Sequence, residues 1–261
     1  MWQALRSELH SQGLEVVTVS LEVSGPEASR PYIELASPEH PSLLDGTHQM
    51  DALFGVVNIP NVVWIDEDGI IVRPAEPGWA GPTPYPPAMV KRLAAAAKSS
   101  AEGEPQGAGT GAAAGKRRNP MAVIQTGQDR DAYPDAIRDW VANGPKSRFH
   151  LSPADVVARS QPRPLEASQA AAHFELGNQL WHDGLRDGAL RHFNASHRLQ
   201  PGNWTYKRQA WSLVGNERVG GEMGRFTQAP RRGEEDDWPF DSDFNADIAK
   251  LEEGQYYPNT M

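Results

Sequence analysis

Residues 54–72, FGVVNIPNVVWIDEDGIIV, constrain the fold more than any other stretch of the chain. Residues 61–65 form a short apolar run rich in β-branched side chains, and Asp-Glu-Asp-Gly at 66–69 is a tight turn. A second apolar run returns at 70–72, so the segment predicts an antiparallel hairpin entered through an Ile-Pro bond. The preceding residues alternate helix and strand. Residues 1–13 place Trp2, Leu5 and Leu9 on one helical face, with Gly13 as the stop. Residues 14–21, LEVVTVSL, are apolar at Val16, Val17 and Val19 and predict a strand buried on both sheet faces. A helix interrupted at Pro31 and a short strand at 41–45 follow. The helix over 47–55 takes Thr47 as N-cap and Gly55 as stop. Beyond the hairpin and a proline-rich loop, a helix over 86–98 begins with proline in its first turn.

Residues 98–120 are rich in Gly, Ala and charge and bury too little apolar surface to fold alone, so they read as a linker. From 131 onward the pattern is helical. Ile137, Trp140 and Val141 share a face, and Ser152-Pro153 is an N-cap and first-turn pair. The chain thus divides into an α/β domain (1–97), the linker (98–120), a helical domain (121–219) and an acidic tail (220–261) with a short helix at 245–252.

The formal charge of −9 disfavours nucleic acid and anionic membranes as partners. No run approaches the roughly 18 apolar residues of a membrane span, and the N-terminus does not read as a signal peptide, which gives a cytoplasmic expectation. With no cysteine in its 261 residues, the chain has no disulfide, thiolate metal site or thiol catalysis of its own.

Within the helical part, Leu176, Gly177, Leu180, Ala189, Phe193, Ser196 and Pro201 follow the spacing of a tetratricopeptide repeat over about 170–203. The hairpin resembles that family, with His173 where it often has Trp and Ser196 in place of its usual Ala. Small residues at 177 and 189 let two helices approach, Phe193 fills the gap, and Pro201 ends the second helix. A single repeat is below the number that makes a solenoid, so the hairpin is expected to dock within a larger helical domain or to bind peptide.

The first hundred residues resemble the thioredoxin-like fold, nearest the TlpA/ResA disulfide reductases and the alkyl hydroperoxide reductase/thiol-specific antioxidant group. The resemblance rests on residues 13–22, 40–45, 53–72 and 86–98, most specifically on the Ile-Pro-x-apolar-apolar-x-Ile-Asp-x-Asp-Gly string. It implies a cis Ile59–Pro60 bond and a peptide-binding loop at Asn58, Ile59 and Pro60, whose backbone pairs with an extended thiol-bearing peptide. The expected fold is therefore an α/β thioredoxin-like domain that lacks its usual first central strand, followed by an all-α domain with a tetratricopeptide-like hairpin. In the family, that strand lies between the counterparts of 14–21 and 61–66, and a redox cysteine follows it. Without the strand, those two segments must pair directly or leave facing edges open. Two explanations follow: a shortened form of a longer oxidoreductase, which the resemblance favours, or a non-redox relative that binds protein or peptide partners. No cofactor is implied.

Asp241, Asp243, Asn245, Asp247 and Glu252 fall at the offsets of a calcium loop, but Ala246 replaces its glycine and Pro239 interrupts the entering helix. An Asp N-cap with acidic first-turn residues accounts for them better, so no metal site is expected. The histidines show no metal-ligand spacing.

Overall fold

The computed structural model describes residues 1–81, 132–160, 162–219, 237–252 and 254–258, with backbone alone at 214–219 and 245. The helix expected at 86–98 and the linker at 98–120 lie outside these residues.

The α/β part runs α1 (Trp2–Leu9), β1 (Thr18–Leu21), α2 (Pro26–Ala36), β2 (Ser42–Asp45), α3 (Gln49–Phe54), β3 (Asn61–Ile65) and β4 (Ile71–Pro77). β1 and β2 pair in parallel, with Thr18 opposite Ser42 and Leu21 opposite Asp45. β3 and β4 pair antiparallel, with Asn61 opposite Pro77, Ile65 opposite Ile71, and irregular register on both sides of Trp64. The two pairs are separate two-stranded sheets. The expected hairpin is present, whereas the strand predicted over 14–21 is shorter and less buried. Among the described residues β1 pairs along one edge only, with β2; it begins at Thr18, and Val17 ahead of it is 52% exposed.

Two helix expectations are corrected. α2 runs through Pro31 unbroken, because the missing amide removes only one bond, to the carbonyl four residues back. α3 starts at Gln49, and its start is capped by Asp45 rather than Thr47. The Asp45 carboxylate accepts the amides of Thr47 (3.2 Å), Gln49 (2.9 Å) and Met50 (2.8 Å), serving several donors of the first turn. Gly55 ends α3 in the left-handed conformation (φ 73°), where a side chain would be strained.

α4 (Ala132–Asn143) packs on α1 and the hairpin. Leu5, Leu9, Trp64 and Val72 form one core with Tyr133, Ala136 and Ile137. Trp64 Nε1 donates to the Tyr133 hydroxyl (2.9 Å), and its ring stacks on Trp140. Beneath them, Arg73 pairs with Glu76 through Nε (2.7 Å) and Nη2 (2.8 Å), both side chains being buried. Burial, reinforced by the Glu76 carboxylate, pushes the Tyr133 phenol up, so it remains a neutral hydrogen-bonding group.

α5 (Pro153–Ser160) buries no side chain and lies against β4. A second core is built by α6 (Leu165–His182), α7 (Arg186–Leu199), α8 (Trp204–Val219) and α9 (Phe244–Ala249), and it gathers Phe174, Phe193, Trp204, Trp211, Phe240 and Ile248. Ser152 caps α5: it accepts the Asp155 amide at 3.2 Å and donates to the Asp155 carboxylate. α6 and α7 form a tight hairpin. A Cβ at Gly177 would lie 2.8 Å from the Phe193 ring, so only glycine allows this approach. Ala189, Phe193 and Ser196 are fully buried, and Leu180 packs against the same core. Leu176 departs from its expected packing role: it is 45% exposed, because α6 turns it away from α7. Pro201 is exposed just beyond the end of α7.

Residues 237–258, the described part of the acidic tail, pack on the helices. Phe240, Phe244, Ile248, Tyr256 and Tyr257 recur among the acidic residues and enter the helical core. Buried Asp247 is fixed by the Lys207 ammonium at 2.7 Å.

Candidate functional site

The two parts of the chain meet at the carboxyl ends of the parallel pair, the end of an open α/β sheet where ligands are usually held. The bonds of Thr18 N to Pro41 O (3.0 Å) and Glu22 N to Asp45 O (3.3 Å) put the even-numbered peptide groups of β1 toward β2. Those of Val19 and Leu21 therefore face the other edge. At its end that edge is met by Gln209 of α8, whose carboxamide donates to Leu21 O (2.7 Å) and accepts from Val23 N (3.3 Å). This is the pattern a residue of a neighbouring parallel strand would make. His182, at the end of α6, bonds the next free carbonyl, Val23 O (3.0 Å).

The loop from α3 to β3 lies at the same junction. Val57 O caps the start of α8 by accepting the Thr205 amide at 3.1 Å, and Asn203 caps it from the other side by accepting the Tyr206 amide. Asn58 is buried: its Oδ1 accepts the Ile59 amide and its Nδ2 donates to Tyr256 O, both at 2.9 Å. The Ile59–Pro60 bond is cis. Ile59 O accepts the Tyr257 hydroxyl at 2.8 Å. Asn58, Ile59 and Pro60 are thus brought together at one surface, and residues 254–258 cross it. The Tyr256 ring meets Trp204 edge-on (centroids 4.8 Å apart), Tyr257 meets Trp79 (5.1 Å), and Arg208 reaches the Tyr256 hydroxyl.

A buried polar cluster holds the two parts in register. The Asp51 carboxylate accepts from Tyr206 (2.5 Å) and Arg163 (2.8 Å), and Arg163 also donates to Asp51 O (2.9 Å). Beside it, His48 bonds Glu175 (2.8 Å) between the rings of Phe174 and Tyr206. Burial and the Asp51 carboxylate both push the Tyr206 phenol up, so it stays protonated and donates.

The tetratricopeptide-like positions lie in the α6–α7 hairpin and do not reach this loop. The calcium look-alike does not converge. Asp241 pairs with Arg198, Asp243 caps α9 by accepting the Ala246 amide (2.7 Å), and Asp247 faces Lys207 and Lys250. The Glu252 backbone amide donates to Gln255 Oε1 (2.8 Å), and the Asn245 side chain is outside the described set. Among the described residues, no group of three or more His, Asp or Glu side chains could hold a metal ion. Nor is any helix among them long and apolar enough to cross a membrane.

Sequence reasoning passed over Trp79, Gln209, Tyr256 and Tyr257. The one usable signal was the Tyr-Tyr-Pro string at 256–258, since adjacent aromatics in an acidic segment are poorly suited to solvent. Set against known proteins, the chain matches no family model, no curated protein and no solved structure.

Proposed function

We propose that this chain is the peptide-holding part of a thioredoxin-like oxidoreductase, working in thiol–disulfide exchange or peroxide reduction, and that it has no thiol chemistry by itself. The split sheet carries this reading. β1–β2 pair in parallel and β3–β4 antiparallel as two separate sheets, and the Val19 peptide groups face away from β2. An edge of that kind accepts an added strand through main-chain hydrogen bonds. The reacting cysteine must come from outside these 261 residues, because none is among them. The α6–α7 hairpin, in this reading, is a tetratricopeptide-like element that fixes the helical part over the site.

The test is reduction of insulin disulfides and of peroxide by this chain and by a form extended before Met1 with a cysteine-bearing strand–helix segment. The chain alone is expected to be inactive and the extended form active. A second reading is a non-catalytic module that binds protein or peptide. It is favoured by the Tyr257 hydroxyl on Ile59 O, since the loop already accepts a chain segment. Inactivity of both forms, with peptide binding retained, would select it.

A further inference from the structure

We infer that residues 254–258 are a built-in ligand: Asn58–Pro60, with Trp79 and Trp204, forms a binding site for a short, bent peptide bearing two adjacent tyrosines, and a partner peptide of that chemistry competes with the chain's own segment. The site reads peptide in two ways. It offers main-chain and amide groups, Asn58 Nδ2 to a backbone carbonyl (2.9 Å) and Ile59 O to a phenol (2.8 Å). It also offers one indole to each ring, Trp204 to Tyr256 and Trp79 to Tyr257. The backbone bends at 255–257, and the two tyrosine rings also meet each other edge-on (centroids 4.6 Å apart), so the site takes the pair on a bent segment.

The occupant follows a stretch that is anchored separately. Upstream of it, Asp247 is held by Lys207 (2.7 Å), Asn194 bonds the backbone of Pro239 and Asp241 (3.2 and 2.9 Å), and Ser242 bonds His197 (2.8 Å). These bonds fix 239–247 to α7 and α8 independently of the tyrosines. Residues 254–258 cross the loop, where Asn58 Nδ2 and Ile59 O bond them, and Arg208 of α8 reaches the Tyr256 hydroxyl. The strap and a partner peptide cannot share the site, because both need Ile59 O and the two indoles.

The inference rests on the peptide-holding role given to the loop, not on thiol chemistry. Failure of the extended form to reduce insulin leaves it standing, while failure of peptide binding overturns it alone. The experiment is fluorescence anisotropy with a labelled synthetic peptide of residues 250–258, titrated with the full chain. It is repeated with the variant carrying Tyr256→Ala and Tyr257→Ala, and with a peptide in which both tyrosines are alanine. The variant is expected to bind the tyrosine peptide at least tenfold more tightly than the wild type does, and to ignore the alanine peptide. Equal binding by both proteins, equal binding of both peptides, or no binding to a variant with the wild-type circular dichroism spectrum would overturn the inference. If the double variant does not fold, Tyr257→Phe removes only the hydroxyl on Ile59 O. It is expected to bind the peptide more tightly than the wild type, and unchanged binding would overturn the inference. A wild-type dimer lost in either variant would show the strap crossing between two copies, and would overturn its assignment within one chain.

Discussion

Replacing Asp247 by Ala strands the Lys207 ammonium inside the helical core. Lys207 is 3% exposed, its Nζ lies 2.7 Å from Asp247 and 4.8 Å from the Trp204 ring centroid, and no second carboxylate bonds it among the described residues. Removing one partner of a buried pair leaves an uncompensated charge, at a cost of about 3–5 kcal/mol. Lys250, the other partner of Asp247, is 72% exposed and simply returns to water. With an m value near 3 kcal/mol per M, the urea midpoint should fall by about 1–2 M, read from tryptophan fluorescence. The paired change Lys207→Met with Asp247→Leu removes both charges while filling the space, and should restore stability to within roughly 1–2 kcal/mol of the wild type. A single variant whose midpoint moves by only a few tenths of a molar, or a double variant no better than the single, would refute the assignment of Asp247 as the charge that keeps Lys207 buried. The carboxyl gives the pair a pH signature as well. Burial acts to raise it, but the bonds from Lys207 and Lys250 outweigh that and hold it below the usual range. Its stabilisation is complete above the ordinary carboxylate range and is lost as pH falls through the lowered value, so the acid limb of the stability curve should be shallower in the double variant.

Burial pushes the His197 imidazole down to about 3, with Lys207 adding to the shift. The unfolded chain protonates near 6.5 and the native state does not, so this group removes stability as pH falls from about 6.5 toward 3, at about 1.4 kcal/mol per unit. His197→Leu should flatten the dependence of the urea midpoint between pH 7 and 5, and an unchanged slope would contradict it. Gly177→Ala gains about 1 kcal/mol of helix propensity but drives a methyl to within 2.8 Å of the Phe193 ring, an overpacking worth about 1–3 kcal/mol. The thermal midpoint should drop, and Phe193→Leu in the same chain should recover part of the loss.

What could be read from the sequence was local. The turn at 66–69, the Gly55 stop, the Ser152 cap and the Gly177–Phe193 fit each depend on residues within one element or one hairpin. Their spacing therefore carried the geometry. The missed features join residues far apart. Gln209 pairs with Leu21 and Val23 as a strand would, through a side-chain amide on a helix nearly two hundred positions later. α4 carries an apolar face that suits either core, and only the Tyr133–Trp64 hydrogen bond and the stacking of Trp140 on Trp64 assign it to the hairpin. In residues 237–258 the acidic composition masks five aromatic or aliphatic side chains that enter the core. Asp243 and Asp247 were correctly placed in a capped helical turn, but nothing local revealed Lys207 beneath it.

The split sheet is tested most directly by amide hydrogen exchange, followed by NMR, at Val19 and Ser20. Ser20 faces β2, whereas Val19 faces the edge with no strand. In this chain Ser20 should be protected and Val19 should exchange much faster. In the form extended by a strand before Met1, Val19 should become as protected as Ser20. Equal protection of both amides in the unextended chain, or a Val19 rate that extension leaves unchanged, would contradict an edge built to receive a strand.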